Sequence, residues 1–229
     1  MKQIKNIPED TVIYRYINVL KFFDLLVKKQ LYFSNYKYFS DKYETEITLK
    51  YIKEFARKVN SEIEDNKMSS FVNYFQNRCV NCWNISESEQ YLLWKSYCQN
   101  INYGVVIKST VKNLMSSLPD YSDIIFVCKK IKYIPYISPT NNINPIFTKY
   151  DFYQTEKELR VSCIIDYTEE NERGIFIPVD LNILIDEIIL NINSNYFQTV
   201  KKIVENILGI EFANQKIKKS LIMDDSLKQ

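Results

Sequence analysis

The sequence contains no histidine and only three glycines in 229 residues. Without imidazole, the chain has no Ser-His or Cys-His nucleophile pair, no histidine ligand for zinc and no histidine general base. The three glycines form no phosphate-binding P-loop, no G-x-G-x-x-G dinucleotide fingerprint and no G-x-S-x-G nucleophile elbow. Any catalysis must therefore use carboxylates, arginine, hydroxyls, aromatic rings or thiols.

The sequence also lacks a long apolar run and a strong charge of either sign. No run approaches the ~20 apolar residues of a transmembrane helix, and the N-terminus lacks the apolar stretch of a signal peptide. Five cysteines are an odd number, which without an export signal is typical of reduced thiols. The formal net charge of +2 does not indicate nucleic-acid or membrane binding. We therefore predict a cytoplasmic protein with no membrane partner.

Strand and helix periodicities alternate along the chain, with no internal repeat, linker or low-complexity segment. Residues 11–16, TVIYRY, predict a strand. Asn18 is the expected N-cap of the helix that follows, and residues 31–34, LYFS, predict a second strand. Gly209 is expected to end the last amphipathic helix. One α+β domain over residues 1–229 is the simplest prediction.

Two later helices are expected to begin at side-chain caps. In SESEQYLLWKSYCQ, Ser86 or Ser88 is the predicted N-cap, with Glu89 in the first turn. Near the C-terminus, Ser194 or Asn195 is the predicted cap of the last amphipathic helix.

Arg15 is one of only five arginines against 25 lysines, and it lies in an apolar strand. At strand spacing it shares a face with Ile13 and Ile17, while Tyr14 and Tyr16 take the other face. A guanidinium on an isoleucine face is costly unless an anion meets it. Its partner is either a structural carboxylate or a bound phosphate or ribose.

Glu156, Glu158 and Arg160 in TEKELRVS form a second candidate. At strand spacing all three project to one side. Two carboxylates so close repel, which raises the pKa of one of them unless a cation intervenes. The apolar run VSCII that follows indicates that the strand enters a core. The row is therefore either a functional site or an ordinary solvated Glu-Arg pair.

Further motifs have both a structural and a functional interpretation. Trp94 and Tyr97 lie three residues apart on a predicted helix, where an aromatic stripe is either core or a stacking platform for a base or a nicotinamide ring. Asp41 and Glu44 of FSDKYE are turn and cap residues, or they bind Mg²⁺ together with other carboxylates. The C-x-x-C at residues 79–82 lacks a second cysteine pair and indicates ordinary buried cysteines.

These motifs together resemble a widespread bacterial family of unknown function over roughly residues 12 to 190. Its members carry a tyrosine-arginine strand, a phenylalanine-asparagine-aspartate-proline-phenylalanine-glutamate loop, a tryptophan-centred helix before a Gly-Val strand, and an E-x-E-x-R strand. The present loop departs from the pattern, because Ser40 replaces the asparagine and Lys42 the proline, while Asp41 and Glu44 remain. The family identifies relatives rather than a reaction.

A more distant resemblance implies a reaction. A strand with Arg15, a helix, a strand with Ser34 and a late Glu-x-Glu are similar in order to the R-S-E arrangement of ADP-ribosyltransferases. The segments NVLKFFDLLVKKQLYFS and ELRV also resemble parts of the DNA ADP-ribosyltransferase toxins. The resemblance implies a mixed or antiparallel sheet core, split around a cleft and flanked by helices. It implies an enzyme that uses NAD⁺, needs no metal and transfers ADP-ribose to a nucleic-acid or protein acceptor, as a toxin or an anti-phage effector.

The same resemblance assigns roles to individual residues. Arg15 would hold the phosphate or the nicotinamide ribose, supported by Ser34. Glu158 would bind the ribose hydroxyl and stabilise the oxocarbenium-like transition state, and Glu156 would orient or deprotonate the acceptor. The residues expected to contact NAD⁺ are Arg15, Tyr32, Ser34, Trp94, Tyr97 and Arg160.

Two other function classes stay open. A metal-dependent nuclease using Asp41, Glu44, Glu156 and Glu158 would need Mg²⁺ and no NAD⁺. A non-enzymatic partner-binding module of a mobile-element or defence system would keep its function when these carboxylates are neutralised.

Overall fold

A computed structural model describes residues 1–39, 41–58, 77–98, 100–122, 124–136, 144–164, 172–191 and 195–222, with the backbone alone for residue 45 and residues 52–58. Over these residues the chain forms twelve strands and seven α-helices, joined by loops and short 3-10 segments. No helix in the described ranges is long and apolar enough to cross a membrane. The mixture of strands and helices confirms the predicted α+β class.

The strands are β1 Lys2–Lys5, β2 Val12–Asn18, β3 Gln30–Asn35, β4 Arg78–Ile85, β5 Gly104–Thr110, β6 Phe126–Lys130, β7 Lys132–Ile134, β8 Thr148–Tyr150, β9 Glu158–Ile164, β10 Gly174–Pro178, β11 Glu187–Leu190 and β12 Ile217–Lys219. The helices are α1 Val19–Lys28, α2 Lys42–Lys58, α3 Tyr91–Tyr97, α4 Val111–Ser117, α5 Leu181–Leu184, α6 Phe197–Leu208 and α7 Ile210–Lys216. The 3-10 segments are Tyr36–Tyr38, Ile101–Tyr103, Pro145–Phe147 and Asp151–Glu156.

The chain divides into two compact units, each formed from three separate stretches. The first unit comprises Met1–Ile7, Tyr32–Cys82 and Asp120–Phe176, and the second comprises Pro8–Leu31, Trp83–Pro119 and Ile177–Gln229. The expected single domain over residues 1–229 stays a prediction.

The sheet of the first unit has the strand order β1-β6-β9-β4. The β1 strand is parallel to β6, while β6 is antiparallel to β9. A separate parallel pair is formed by β7 and β8. The core includes Phe33, whose ring centroid lies 6.0 Å from that of Phe126. Every residue of β9 from Glu158 to Cys163 is buried, as expected of a strand that enters a core.

The sheet of the second unit has the order β4-β2-β5-β11-β12. Its β2-β5 and β5-β11 pairs are antiparallel, and its β11-β12 pair is parallel. As predicted, Asn18 caps α1, because its side-chain oxygen accepts a hydrogen bond from Lys21 N at 2.9 Å. Gly209 follows the last residue of α6, also as predicted. With parallel and antiparallel pairs in both units, the predicted mixed sheet is confirmed.

The predicted side-chain caps of α3 and α6 are wrong for every candidate that lies within the described residues. The α3 helix begins after Gln90 and has no side-chain cap. Ser86 Oγ instead accepts a hydrogen bond from Gln90 Nε2 at 2.9 Å, and Ser88 also lies before the helix. The α6 helix has no side-chain cap, so Asn195 does not cap it, and Ser194 lies outside the described residues.

Glu89 lies before α3 rather than in its first turn, and it binds groups that are distant in the chain. Its carboxylate accepts hydrogen bonds from Trp94 Nε1 at 3.0 Å, Ser220 Oγ at 2.7 Å and the backbone N of Leu221 at 3.1 Å. This residue therefore attaches the C-terminal strand to the second unit, which local sequence could not show.

Gly174 begins β10 with a φ of +144° in very close contact with β3. A Cβ here would overlap the backbone carbonyl of Phe33 and lie 2.6 Å from the Tyr32 hydroxyl oxygen. We expect Gly174→Ala to lower the free energy of unfolding by about 2 kcal/mol, because backbone strain and steric overlap add. Urea denaturation measures the loss.

Gly209→Ala is the matched control for this prediction. Gly209 also has a positive φ, +98°, but a Cβ there would meet no atom within 4 Å. Gly209→Ala should therefore lower the free energy of unfolding through backbone strain alone, and by less than Gly174→Ala. Equal losses at the two glycines would show that the contact with β3 does not matter.

Candidate functional site

Five charged side chains of the first unit meet in one cluster, here called the ionic cluster: Glu44, Lys149, Glu156, Glu158 and Arg160. Glu44 lies in the first turn of α2, Lys149 on β8, Glu156 at the end of a 3-10 segment, and the other two on β9. All except Glu156 are buried. Two motifs recognised separately in the sequence, FSDKYE and TEKELR, therefore converge, although Glu44 and Arg160 are 116 positions apart.

A side-chain turn at the start of α2 positions Glu44. Asp41 Oδ1 accepts a hydrogen bond from Tyr43 N at 2.9 Å, and the Asp41 carbonyl accepts one from Glu44 N at 3.2 Å. An aspartate that binds the backbone two residues on favours a turn and a helix start. The predicted turn and cap role of Asp41 is thus confirmed, and it leaves Glu44 directed into the cluster.

Glu156, Glu158 and Arg160 do not share one strand face, so that part of the prediction is wrong. Lys157 adopts a left-handed conformation with a φ of +42°, and β9 begins only at Glu158. The two glutamates nevertheless come together, because both bind the ammonium group of Lys149. The repulsion that the sequence predicts between the two glutamates is relieved, because Lys149 is a cation that lies between their carboxylates.

Arg160 is completely buried and is bound on three sides. Its Nε donates to Glu158 Oε1 at 2.6 Å, and its Nη1 donates to the carbonyl of Ile146 at 2.7 Å. Its Nη2 donates to Glu44 Oε1 at 2.9 Å and to Glu158 Oε2 at 3.2 Å. Lysine could not make these contacts, because only the planar guanidinium presents several donors in a fixed geometry.

Lys149 joins all three carboxylates of the ionic cluster. Its Nζ lies 2.8 Å from Glu156 Oε2, 3.0 Å from Glu158 Oε2 and 3.3 Å from Glu44 Oε1. The side chain is buried, so these contacts replace the water that an ammonium group otherwise binds. Lys149 is therefore the residue that holds the partly exposed Glu156 against the buried pair.

The electrostatics of the ionic cluster keep Glu158 ionised. Burial alone would raise the pKa of Glu158, but Arg160 and Lys149 outweigh it and lower that pKa to about 2. Burial alone would lower the pKa of Lys149 and of Arg160. The neighbouring carboxylates outweigh burial and raise both pKa values well above their ordinary values. At physiological pH these three groups are therefore fixed charges.

Tyrosine hydroxyls line the ionic cluster. Tyr36 donates to a backbone carbonyl at 3.1 Å, and the Tyr133 hydroxyl accepts from Glu158 N at 2.8 Å. The centre of the Tyr153 ring lies 4.7 Å from Lys149 Nζ. Burial raises the pKa of each of these tyrosines to about 12, so the hydroxyls stay neutral.

The ionic cluster has more negative than positive charge. Glu44, Glu156 and Glu158 face the two cations Lys149 and Arg160. Glu44 Oε2 is buried and accepts no hydrogen bond from the residues that the structure describes. A buried acceptor without a donor is costly, so this oxygen offsets part of the stabilisation that the ion pairs of the cluster provide.

Arg15 lies in the second unit, half-buried on β2. Its strand partner on β5 is Ile107, and its guanidinium carbon lies 5.8 Å from the centre of the Trp83 ring. Tyr14 and Tyr16 pack in the same core cluster, as the strand spacing predicts. Contact between Arg15 and a bound phosphate stays a prediction.

Trp94 is a core residue, and the geometry does not support stacking of a ligand on it. The side chain is completely buried, with its ring 6.1 Å from that of Tyr16 and its Nε1 bound to Glu89. A ligand ring could reach the indole face only by displacing the core. Tyr97, on the same helix, is exposed, and its stacking role stays a prediction.

Tyr32 and Ser34 lie in the first unit on β3. Ser34 is half-buried opposite Val80. The Tyr32 hydroxyl donates to the Arg173 carbonyl at 2.6 Å, and its ring lies 5.0 Å from that of Phe176. Neither residue hydrogen-bonds to the ionic cluster within the described part of the chain, so their NAD⁺ contacts stay predictions.

Sequence reasoning missed Lys149, the residue that connects the ionic cluster. Its signal was a lysine in the otherwise apolar stretch PIFTKY, where Ile146, Phe147 and Tyr150 are buried. The argument applied to Arg15, that a cation in an apolar strand needs an anionic partner, would have found it.

The metal-dependent alternative has no geometric support in the described part of the chain. No three Asp, Glu, Cys or His side chains are grouped there as a metal site requires. Of the four carboxylates named for it, Glu44, Glu156 and Glu158 surround the ammonium group of Lys149. The effect of EDTA and Mg²⁺ on activity tests the metal-dependent class directly.

The fold and the ionic cluster define an α+β protein with a mixed sheet and a buried site of carboxylates, lysine and arginine. No protein-family model matches this chain, and no curated protein is significantly similar to it. The resemblances carried by its motifs therefore stay expectations.

Proposed function

We propose that this protein is an ADP-ribosyltransferase-like enzyme that cleaves the nicotinamide-ribose bond of NAD⁺ and transfers ADP-ribose to a nucleic-acid or protein acceptor. The observation that carries the proposal is the pair of glutamates held on one ammonium group, with Glu156 and Glu158 at 2.8 and 3.0 Å from Lys149 Nζ. The motif that resembles the catalytic strand of these enzymes thus supplies two fixed carboxylates at one place.

Two fixed carboxylates suit this reaction. When the bond between C1′ of the ribose and the nicotinamide nitrogen breaks, its electron pair leaves with nicotinamide and positive charge develops on the ribose. A preorganised carboxylate stabilises that charge without reorganisation. The acceptor nucleophile then forms its bond to C1′ and loses a proton to a base. The cleavage and transfer need no metal and no histidine.

The geometry favours different roles for Glu156 and Glu158 from those that the resemblance implies. Both Glu158 oxygens are bound by cations, and only 8% of its side chain is exposed. Glu156 is the more exposed of the two, with 21% of its side chain exposed. We therefore assign ribose or acceptor contact to Glu156, while Glu158 positions Lys149 and Arg160.

Nicotinamide release from NAD⁺ by the purified full chain tests the proposal. We expect Glu156→Gln to slow release by about 100-fold or more, because it removes the negative charge and the base but keeps the shape. Asp151→Asn is the matched control, since Asp151 is a carboxylate on the same 3-10 segment outside the ionic cluster. Arg15→Ala tests the phosphate role separately.

Two results would overturn the proposal. One is no nicotinamide release, even when a cell extract supplies acceptors. The other is equal release by the wild type and Glu156→Gln. Release that EDTA abolishes and Mg²⁺ restores would support the metal-dependent class instead. Toxicity on expression that Glu156→Gln relieves would support the toxin or anti-phage role.

A partner-binding module is the second candidate function, favoured by the burial of the ionic cluster. Arg160 and Glu158 make their contacts inside the protein, so a purely structural role for them needs no substrate. This candidate predicts that Glu158→Gln lowers stability without any enzymatic consequence. Absence of NAD⁺ turnover, together with that loss of stability, would favour it.

A further inference from the structure

Four aromatic rings of the first unit form a group beside the ionic cluster, here called the aromatic platform: Tyr43, Tyr150, Phe152 and Tyr153. Phe152 contacts the other three. Its centroid lies 5.5 Å from the stacked ring of Tyr150, 5.3 Å from the perpendicular ring of Tyr43 and 4.7 Å from the tilted ring of Tyr153. Three neighbours thus hold this ring in a defined position.

Phe152 is nevertheless 59% exposed. An exposed phenylalanine is ordinary when it stands alone, but this one is fixed in orientation by three other rings. A rigid, exposed aromatic face loses little conformational freedom when a ligand binds it. The arrangement is therefore suited to stacking.

The rings of the aromatic platform differ in what covers them. Lys42 Nζ lies 5.0 Å from the centre of the Tyr43 ring, Lys50 Nζ 6.0 Å from that of Tyr150, and Lys149 Nζ 4.7 Å from that of Tyr153. Each tyrosine therefore already has a cation of the protein over its ring. Among the described residues, none places a cation over Phe152, so its exposed face is the one left for a ligand.

The aromatic platform is joined directly to the ionic cluster. Phe152 and Glu156 lie on the same 3-10 segment, four positions apart. Lys149, the cation over the Tyr153 ring, is also 2.8 Å from Glu156 Oε2. At about 2 Å per residue the two positions are about 8 Å apart along this segment, so a nucleotide whose ring stacks on Phe152 is long enough to reach the carboxylate to which we assign substrate contact.

We infer that Phe152 is the stacking surface for a planar heteroaromatic ring of a nucleotide ligand. The identity of that ligand as NAD⁺ rests on the proposed function, whereas the stacking itself does not. NAD⁺ carries such a ring at each end, nicotinamide at one and adenine at the other. This residue was not among the sequence candidates, and it takes the stacking role that the burial of Trp94 excludes.

Ligand binding to the full chain, measured by saturation-transfer NMR titration, tests the inference. The probes are 1-methylnicotinamide for one ring and AMP for the other, so the two ends of NAD⁺ are distinguished. We expect at least one probe to bind the wild type and to bind Phe152→Leu roughly ten-fold more weakly, because a stacked ring is lost. Phe152→Trp should retain binding.

Tyr91→Leu is the control for this experiment. Tyr91 is an exposed aromatic residue of the second unit, with Lys95 over its ring, and its replacement should leave the affinity of both probes unchanged. Phe152 is mostly exposed, so Phe152→Leu should fold normally, which an unchanged thermal melt verifies.

The outcomes separate this inference from the proposed function. Binding of neither probe at millimolar concentration, or equal affinity of the wild type and Phe152→Leu, overturns the inference. Ring binding that depends on Phe152 without any nicotinamide release supports the inference and overturns the proposed function. Nicotinamide release with the same KM in the wild type and Phe152→Leu supports the proposed function and overturns the inference.

Discussion

Replacing Arg160 with methionine is expected to lower the free energy of unfolding by about 3–5 kcal/mol, because one partner of a buried ion pair is removed. Glu158 would lose its hydrogen bonds at 2.6 and 3.2 Å, and Glu44 would lose the one at 2.9 Å. Both carboxylates are buried and cannot recover these bonds from water. Lys149 alone would then face three carboxylates.

Urea denaturation of the wild type, Arg160→Met and Arg160→Lys measures this effect. Arg160→Lys keeps the positive charge but not the planar guanidinium, so its free energy of unfolding should lie between those of the wild type and Arg160→Met. The control is Arg173→Met, since Arg173 lies exposed in a turn and should change stability by less than about 0.5 kcal/mol.

The double variant Glu158→Gln with Arg160→Met keeps this prediction testable if Arg160→Met is insoluble. It removes a buried negative charge along with the positive one, so it should be more stable than Arg160→Met alone. A wild-type-like free energy of unfolding for Arg160→Met would show that the ionic cluster is not coupled to folding.

Acid is expected to destabilise the protein through Glu158. The folded-state pKa of Glu158 is about 2, against an ordinary value of 4.5. A lowered pKa means that the unfolded chain takes up the proton first. The resulting stabilisation, on the order of 3 kcal/mol, is fully present above pH ~4.5 and is lost as the pH falls through about 2.

The difference in unfolding free energy between the wild type and Glu158→Gln isolates this contribution. Glutamine cannot titrate, so the difference should shrink by about 2 kcal/mol between pH ~6 and pH ~3. Glu87→Gln, which replaces an exposed carboxylate before α3, is the matched control. A Glu158→Gln difference that is constant or grows on acidification would contradict an ionised, cation-bound Glu158.

The elements that follow from local patterns could be predicted. The β2-α1-β3 opening was predicted because strand residues alternate, Asn18 binds the backbone of the next turn and α1 then follows. Gly209 ends α6 because glycine accepts the positive φ that follows the helix. The core position of β9 likewise followed from its apolar run. These features depend on residues that are neighbours in the chain.

The ionic cluster could be predicted only in pieces. The sequence indicated Glu44, Glu156, Glu158 and Arg160 as site residues, and it grouped the three glutamates only as ligands of a metal ion, without Arg160 or Lys149. Their meeting, and the place of Lys149 between them, depends on contacts between α2, β8 and β9 that no local pattern encodes. Charges 116 positions apart attract only after the chain has folded and excluded water from around them.

The amino-acid sequence alone therefore determined the β2-α1-β3 opening, the core strand β9 and the residue types that could carry chemistry, because these depend on local periodicity and composition. Only the tertiary structure decided which of those residues are available. It buried Trp94 in the core, bound Glu158 on both oxygens and left Phe152 exposed on the 3-10 segment that ends at Glu156. Exposure and ion pairing depend on what packs against a side chain, and distant parts of the chain supply those neighbours.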